Sequence, residues 1–180
     1  NNTDRIIDGI SAYSVLKNAE ETDTLESIEN FHGSMFNDTI YLGDEGGYIF
    51  ARGGDDIIQS GGGALIIAGS GNDTITGGRS SSLSYYDDGY GANPQINGIS
   101  VDYTGFQEGI VTDDGWGNTD TFTGISQIAG SDFADTIIGD WGDLIFTGFG
   151  GDDTLIGGRG NDNLRGDAGD DTLNGGAGDD

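Results

Sequence analysis

The sequence predicts an all-β solenoid, in which short strands joined by glycine-rich turns stack coil upon coil. Three observations carry this. Glycine supplies 36 of the 180 residues, far above its usual share of about 7%. From Gly130 onward the chain falls into nine-residue units, and fixed-period self-similarity of this kind marks a repeat architecture. Apolar residues make up only 33%, too few for a thick core, so each repeat must share its apolar residue with the next.

The regular units read GSDFADTII, GDWGDLIFT, GFGGDDTLI, GGRGNDNLR and GDAGDDTLN, followed by GGAGDD. Position eight is always apolar: Ile137, Phe146, Leu155, Leu164, Leu173. Position six is Asp135, Leu144, Asp153, Asp162, Asp171 and Asp180. A looser block runs from about Gly33 to Thr76 as GSMFNDTIY, GDEGGYIFA, RGGDDIIQ, SGGGALIIA and GSGNDTIT, with Leu42 standing as an extra residue. The lead-ins match as well: Thr22–Ile40 aligns with Thr119–Ile137 at a constant offset of 97. The expected organisation is therefore residues 1–78, a lead-in and a degenerate first block; 79–129, an irregular β lead-in; and 130–180, a regular second block, all in one continuous solenoid.

Within the lead-ins, Ile6–Ile10, Leu83–Tyr85 and Ile99–Val101–Tyr103 alternate as strands do. Residues 87–94, which hold the only proline, Pro94, read as a loop. The nearest approach to a helix is Val15 to Ser27.

Two units make one coil and turn at opposite edges, so position-six residues form two stacks. In the first block one stack is Asp38, Asp56 and Asp73. The other is Tyr48, then Ala64 or Leu65, and is expected to be held by packing of Tyr48, Phe50 and Leu65. In the second block Asp135, Asp153 and Asp171 line one edge, and Leu144, Asp162 and Asp180 the other.

Thirty-two acidic against six basic residues give a net charge of −26. Such a field repels nucleic acid and anionic membranes and calls for cations as counter-charge. No apolar run approaches the roughly 18 residues of a membrane span. The single histidine, His32, lacks an HExxH context, GxSxG is absent, and adjacent pairs such as Asp87–Asp88 and Asp113–Asp114 mean little among 32 acids, so the chain is expected to be non-catalytic. It has no opening signal peptide and stops within a motif at Asp180, and reads as a piece of a longer protein.

The turn chemistry points to calcium. Glycines at positions one, two and four let carbonyls bend inward where a Cβ would resist, and the position-six carboxylate meets them. Hard oxygen ligands from backbone and carboxylate suit Ca²⁺. Zinc would want His or Cys, and the chain has one His and no Cys.

GGRGNDNLR, GSGNDTIT and GGAGDD follow GGxGxDxUx, with U a large apolar residue, and this pattern resembles the RTX (repeats-in-toxin, haemolysin-type) calcium-binding family. The resemblance implies a parallel β-roll, export from a bacterium by type I secretion machinery, and folding outside the cell or at its surface on meeting several calcium ions. It also implies ligands: the carbonyls of positions two and four with the position-six aspartate. Carried over, these are Gly158, Gly160 and Asp162; Asp167, Gly169 and Asp171; Gly176, Gly178 and Asp180; Gly151 with Asp153; Gly69 and Gly71 with Asp73; and Gly54 with Asp56. Asp38 and Asp135 occupy the same position six. The host could be an adhesin, a toxin or an extracellular enzyme. An alternative is a calcium-dependent carbohydrate-binding module that stacks sugars on Trp116, Trp141, Tyr85, Tyr86 and Tyr90. Ice binding on a threonine ladder lacks its residues, since outward turn positions hold Arg159, Ala168 and Ala177.

Overall fold

A computed structural model describes residues 12–13, 30–43, 46–86 and 95–180, with the backbone alone at Ala12, Tyr13 and Arg79. The strand expected over 6–10, the helical stretch over 15–27 and the loop over 87–94, with Tyr90, lie outside the described residues.

The described residues form strands and no helix. The strands of the first half are β1 (Ala12–Tyr13), β2 (Asn30–His32), β3 (Thr39–Leu42), β4 (Gly47–Phe50), β5 (Ile57–Ser60), β6 (Ala64–Ile67) and β7 (Thr74–Ser84). Then come β8 (Ser100–Gly105), β9 (Glu108–Asp113), β10 (Asp120–Ala129) and β11 (Thr136–Ile138). The last four are β12 (Ile145–Gly150), β13 (Thr154–Arg159), β14 (Asn163–Ala168) and β15 (Thr172–Ala177).

They make the two faces of a parallel β-roll. One face stacks β1, β2, β4, β6, the end of β7, the end of β10, β12 and β14. The other stacks β3, β5, the start of β7 and the start of β10, then β9 and β8, then β11, β13 and β15. β8 and β9 are the exception. They form an antiparallel hairpin wedged into one face, between β10 and β11.

The core is two files of side chains, one per coil and face. Phe31, Ile49, Ile66, Leu83, Ile128 and Phe146 fill one file, and Ile40, Ile58, Ile75, Phe122, Ile137 and Leu155 the other; all are buried. At the wedge Tyr103 widens the layer, with its ring edge-on to Phe122 at 5.0 Å and 5.7 Å from Phe146. Burial fades along the last coils: Leu164 is partly buried and Leu173 is 47% exposed.

The first block is more regular than its sequence suggests. Buried Ile40, Ile49, Ile58 and Ile75 put position eight in the units 33–41, 42–50, 51–59 and 68–76. Leu42, Ala51 and Ala68 are thus position-one residues, all buried, and the one slip falls in 60–67. This corrects the expectation for the second edge. Its position-six residues are Gly47 and Ala64, paired across the ladder, while Tyr48 faces outward and is 50% exposed. Tyr48, Phe50 and His32 stack ring on ring along the outer surface instead, at 6.5 and 4.7 Å. Inside that edge, hydroxyls hold the turns. Ser81 Oγ donates to the Gly62 carbonyl at 2.8 Å and accepts from Gly78 N at 3.1 Å.

Candidate metal-binding turns

The position-six aspartates form a ladder up one edge. Asp38 N–H donates to Asp56 Oδ1 at 2.7 Å, Asp56 N–H to Asp73 Oδ1 at 2.8 Å, and Asp73 N–H to Asp120 Oδ1 at 2.9 Å. Beyond the hairpin it resumes, with Asp135 N–H on Asp153 Oδ1 at 2.9 Å and Asp153 N–H on Asp171 Oδ1 at 3.0 Å. On the opposite edge Leu144 N–H donates to Asp162 Oδ1 and Asp162 N–H to Asp180 Oδ1, at 2.9 and 2.8 Å. Each carboxylate thus spends one oxygen on the coil before it.

The second oxygen distinguishes them. Asp56, Asp73, Asp153 and Asp162 are buried, and Oδ2 of each lacks a hydrogen-bond partner, as does Oδ1 of buried Asp38. A buried, unpaired carboxylate oxygen is costly and needs a counter-charge or a donor. In the second block these oxygens face the bare backbone of the position-one glycine: a Cβ on Gly148, Gly157, Gly166 or Gly175 would collide with the carboxylate of Asp153, Asp162, Asp171 or Asp180. In the first block Ala51 and Ala68 take that place.

The turns carry matching backbone strain. Every glycine carried over from the resemblance has positive φ: Gly54, Gly69, Gly71, Gly151, Gly158, Gly160, Gly169, Gly176 and Gly178. So do Arg52 (81°), Phe149 (77°) and Asp167 (71°) at position two of their units, a conformation that costs an L-residue roughly 1 kcal/mol. Stacking is close enough that a Cβ on Gly169 would strike the Gly151 carbonyl oxygen, and one on Gly178 that of Gly160.

Burial dominates the electrostatics. It pushes the Asp56 carboxyl up to about 8, Asp73 to about 9 and Asp153 to about 6, and raises Asp162; neighbouring aspartates add to each, while only backbone donors oppose. These turns are built for positive charge. The donor set fits Ca²⁺, because one carboxylate per turn plus peptide carbonyls is hard oxygen throughout. Among the described residues no three acidic or histidine side chains converge, so backbone carbonyls must supply most of the ligands.

Asp120 escaped the sequence reading. GWGNTDTFT, residues 115–123, is a further unit, with Asp120 at position six and buried Phe122 at position eight; that D-x-U spacing was the available signal. Position five was also missed. Asn37, Asp55 and Asn72 each accept the N–H of the residue one coil on, at 2.9, 2.9 and 3.1 Å. Asp143, Asp152 and Asn161 do the same for Asn161, Asp170 and Asp179. The recurrence of Asn or Asp at position five was legible in the units.

The described aromatic candidates sit as follows. Tyr85 is buried, and its hydroxyl donates to Asp120 Oδ2 at 2.6 Å. Tyr86 rests against Phe149 with ring centroids 4.7 Å apart. Trp116 is half-buried in the turn that carries Asp120. Trp141 lies in the Leu144 turn on the opposite edge, with the Arg159 guanidinium 4.4 Å over its ring. Intramolecular partners engage Tyr85, Tyr86 and Trp141.

Stacked parallel coils, glycine turns of positive φ and a carboxylate ladder define a calcium-binding β-roll. The model of the RTX calcium-binding nonapeptide repeat matches in four copies, over residues 65–81, 120–143 and 147–180. This chain therefore carries RTX repeats, a calcium-binding structural module. No curated protein matches the chain as a relative.

Proposed function

We propose that this chain is a calcium-gated folding module of a larger protein that works outside the cell, where it becomes rigid on meeting millimolar calcium. The ions are held by Asp56 with Gly54, Asp73 with Gly69 and Gly71, Asp153 with Gly151, Asp162 with Gly158 and Gly160, Asp171 with Asp167 and Gly169, and Asp180 with Gly176 and Gly178. The carrying observation is the set of buried Oδ2 atoms without a donor on Asp56, Asp73, Asp153 and Asp162. Bound calcium supplies the positive charge those oxygens lack; the chain contributes the turns that present them. Export before folding follows the same logic, because a chain with net charge −26 stays extended where calcium is scarce. Adhesin, toxin and extracellular enzyme all remain compatible hosts.

Ion selectivity tests this. Melting in ~1 mM calcium is expected to occur at a clearly higher temperature than in ~1 mM magnesium, since a turn of peptide carbonyls cannot impose the tight octahedron of magnesium. Equal melting in the two ions would count against the proposal.

A further inference from the structure

Not every aspartate of the ladder has an oxygen to spare for an ion. At Asp38, Oδ2 accepts Ser34 N at 2.7 Å and Ser34 Oγ at 3.0 Å, but Oδ1 is buried and free of any partner, so Asp38 keeps an oxygen for an ion. At Asp135, Oδ2 accepts Ser131 N at 2.7 Å, and Oδ1 accepts Ser131 Oγ at 2.8 Å and Ile99 N at 2.7 Å. At Asp120, Oδ2 accepts the buried Tyr85 hydroxyl at 2.6 Å. At Asp120 and Asp135 both carboxylate oxygens are taken up, and a hydroxyl of the chain itself sits on each carboxylate.

For Asp120 and Asp135 the backbone draws the same line independently. Both position two and position four have positive φ in the turns of Asp56, Asp73, Asp153, Asp162, Asp171 and Asp180. Neither does in the turns of Asp135 (Ser131, Phe133) and Asp120 (Trp116, Asn118), nor in that of Asp38 (Ser34, Phe36), whose carboxylate keeps its free Oδ1. In the Asp120 turn the positive φ falls on Gly115 and Gly117 instead, and the Asp114 carboxylate takes up Trp116 N and Asn118 N at 2.8 and 2.9 Å. Those backbones are folded around a side chain of the protein, not opened toward a cation.

Resting on the calcium reading above, we infer that Asp120 and Asp135 are hydroxyl-closed end-stops of the ladder that take no ion, with Tyr85 and Ser131 standing where calcium stands elsewhere. Their positions explain the arrangement. Asp120 and Asp135 flank the wedged hairpin, where β9 and β8 separate β10 from β11 and no regular turn is available to complete a shared site. The hairpin thus divides the calcium ladder into two sets that load separately, each with a built-in end.

Calcium stoichiometry at saturating ion, by equilibrium dialysis with elemental analysis, tests this on variants shown by circular dichroism to be folded. Asp120→Asn keeps an acceptor for Asp73 N and a group that can pair with Tyr85, so the turn is preserved; it is expected to bind as many ions as the parent. Asp153→Asn places an amide against the ion and is expected to bind at least one fewer. Asp135→Asn is the second end-stop variant, expected to match the parent, with Asp73→Asn as its open-turn counterpart. Loss of an ion from Asp120→Asn or Asp135→Asn, equal to that from Asp153→Asn, would overturn the inference and leave the calcium reading intact. A parent that binds no calcium would sink the calcium reading itself.

Discussion

Chelation of calcium at neutral pH is expected to convert the folded chain to coil, with loss of β circular dichroism and a marked rise in hydrodynamic radius. Extracellular-type sites have Kd of about 10⁻⁴ to 10⁻³ M, so each ion contributes roughly 0.4–1.4 kcal/mol at ~1 mM calcium. Several such terms make up much of the roughly 5–15 kcal/mol by which domains are stable, and relief of charge repulsion adds to them. The structure also fixes the sign of the pH effect. Carboxyls raised by burial from 3.8 to about 8 at Asp56, 9 at Asp73 and 6 at Asp153 make the folded state bind protons more tightly than the coil. Their contribution is fully present below the coil value near pH 4 and is lost as pH rises through about 6 to 9. The chelated chain should therefore regain β structure on acidification, with protons in place of ions. A chelated chain that keeps its spectrum at pH 7.5, or loses structure steadily as pH falls, would contradict this.

Phe122→Ala is expected to cost about 3–5 kcal/mol, the range for emptying an aromatic site in a core. Phe122 is 2% exposed, meets Tyr103 at the hairpin and pairs with Ile75 and Gly109 on its two sides. Coils of a solenoid touch only their neighbours, so a cavity here weakens the junction between the two blocks on the hairpin face. Denaturation in saturating calcium should change from one transition to two. A single transition shifted by less than about 1 kcal/mol would show that the hairpin joins the blocks without this packing.

Most of the roll was legible because its chemistry repeats. Aspartate at position six and an apolar residue at position eight fix both edge and face, and Ile137, Leu155 and Asp153 lie where the spacing puts them. The Tyr48 edge was misplaced by one residue because Ile49 and Phe50 are both apolar enough for position eight; only burial, complete at Ile49, separates them. The hairpin was hidden for a different reason. Its tip is Phe106–Gln107, with Gln107 at φ 55°, and lacks the Asn-Gly or Asp-Gly that marks two-residue turns. The end-stops could not be read at all. Tyr85 lies 35 residues from Asp120, and no local pattern reveals that its hydroxyl meets that carboxylate.

The central claim is that calcium sits on the orphaned carboxylate oxygens of the glycine turns. Crystals grown in calcium and measured at long wavelength would show each ion as an anomalous peak. Peaks are expected beside Oδ2 of Asp56, Asp73, Asp153 and Asp162. Peaks only on outer carboxylates such as Asp55, Asp152 and Asp170, with none inside the turns, would contradict it.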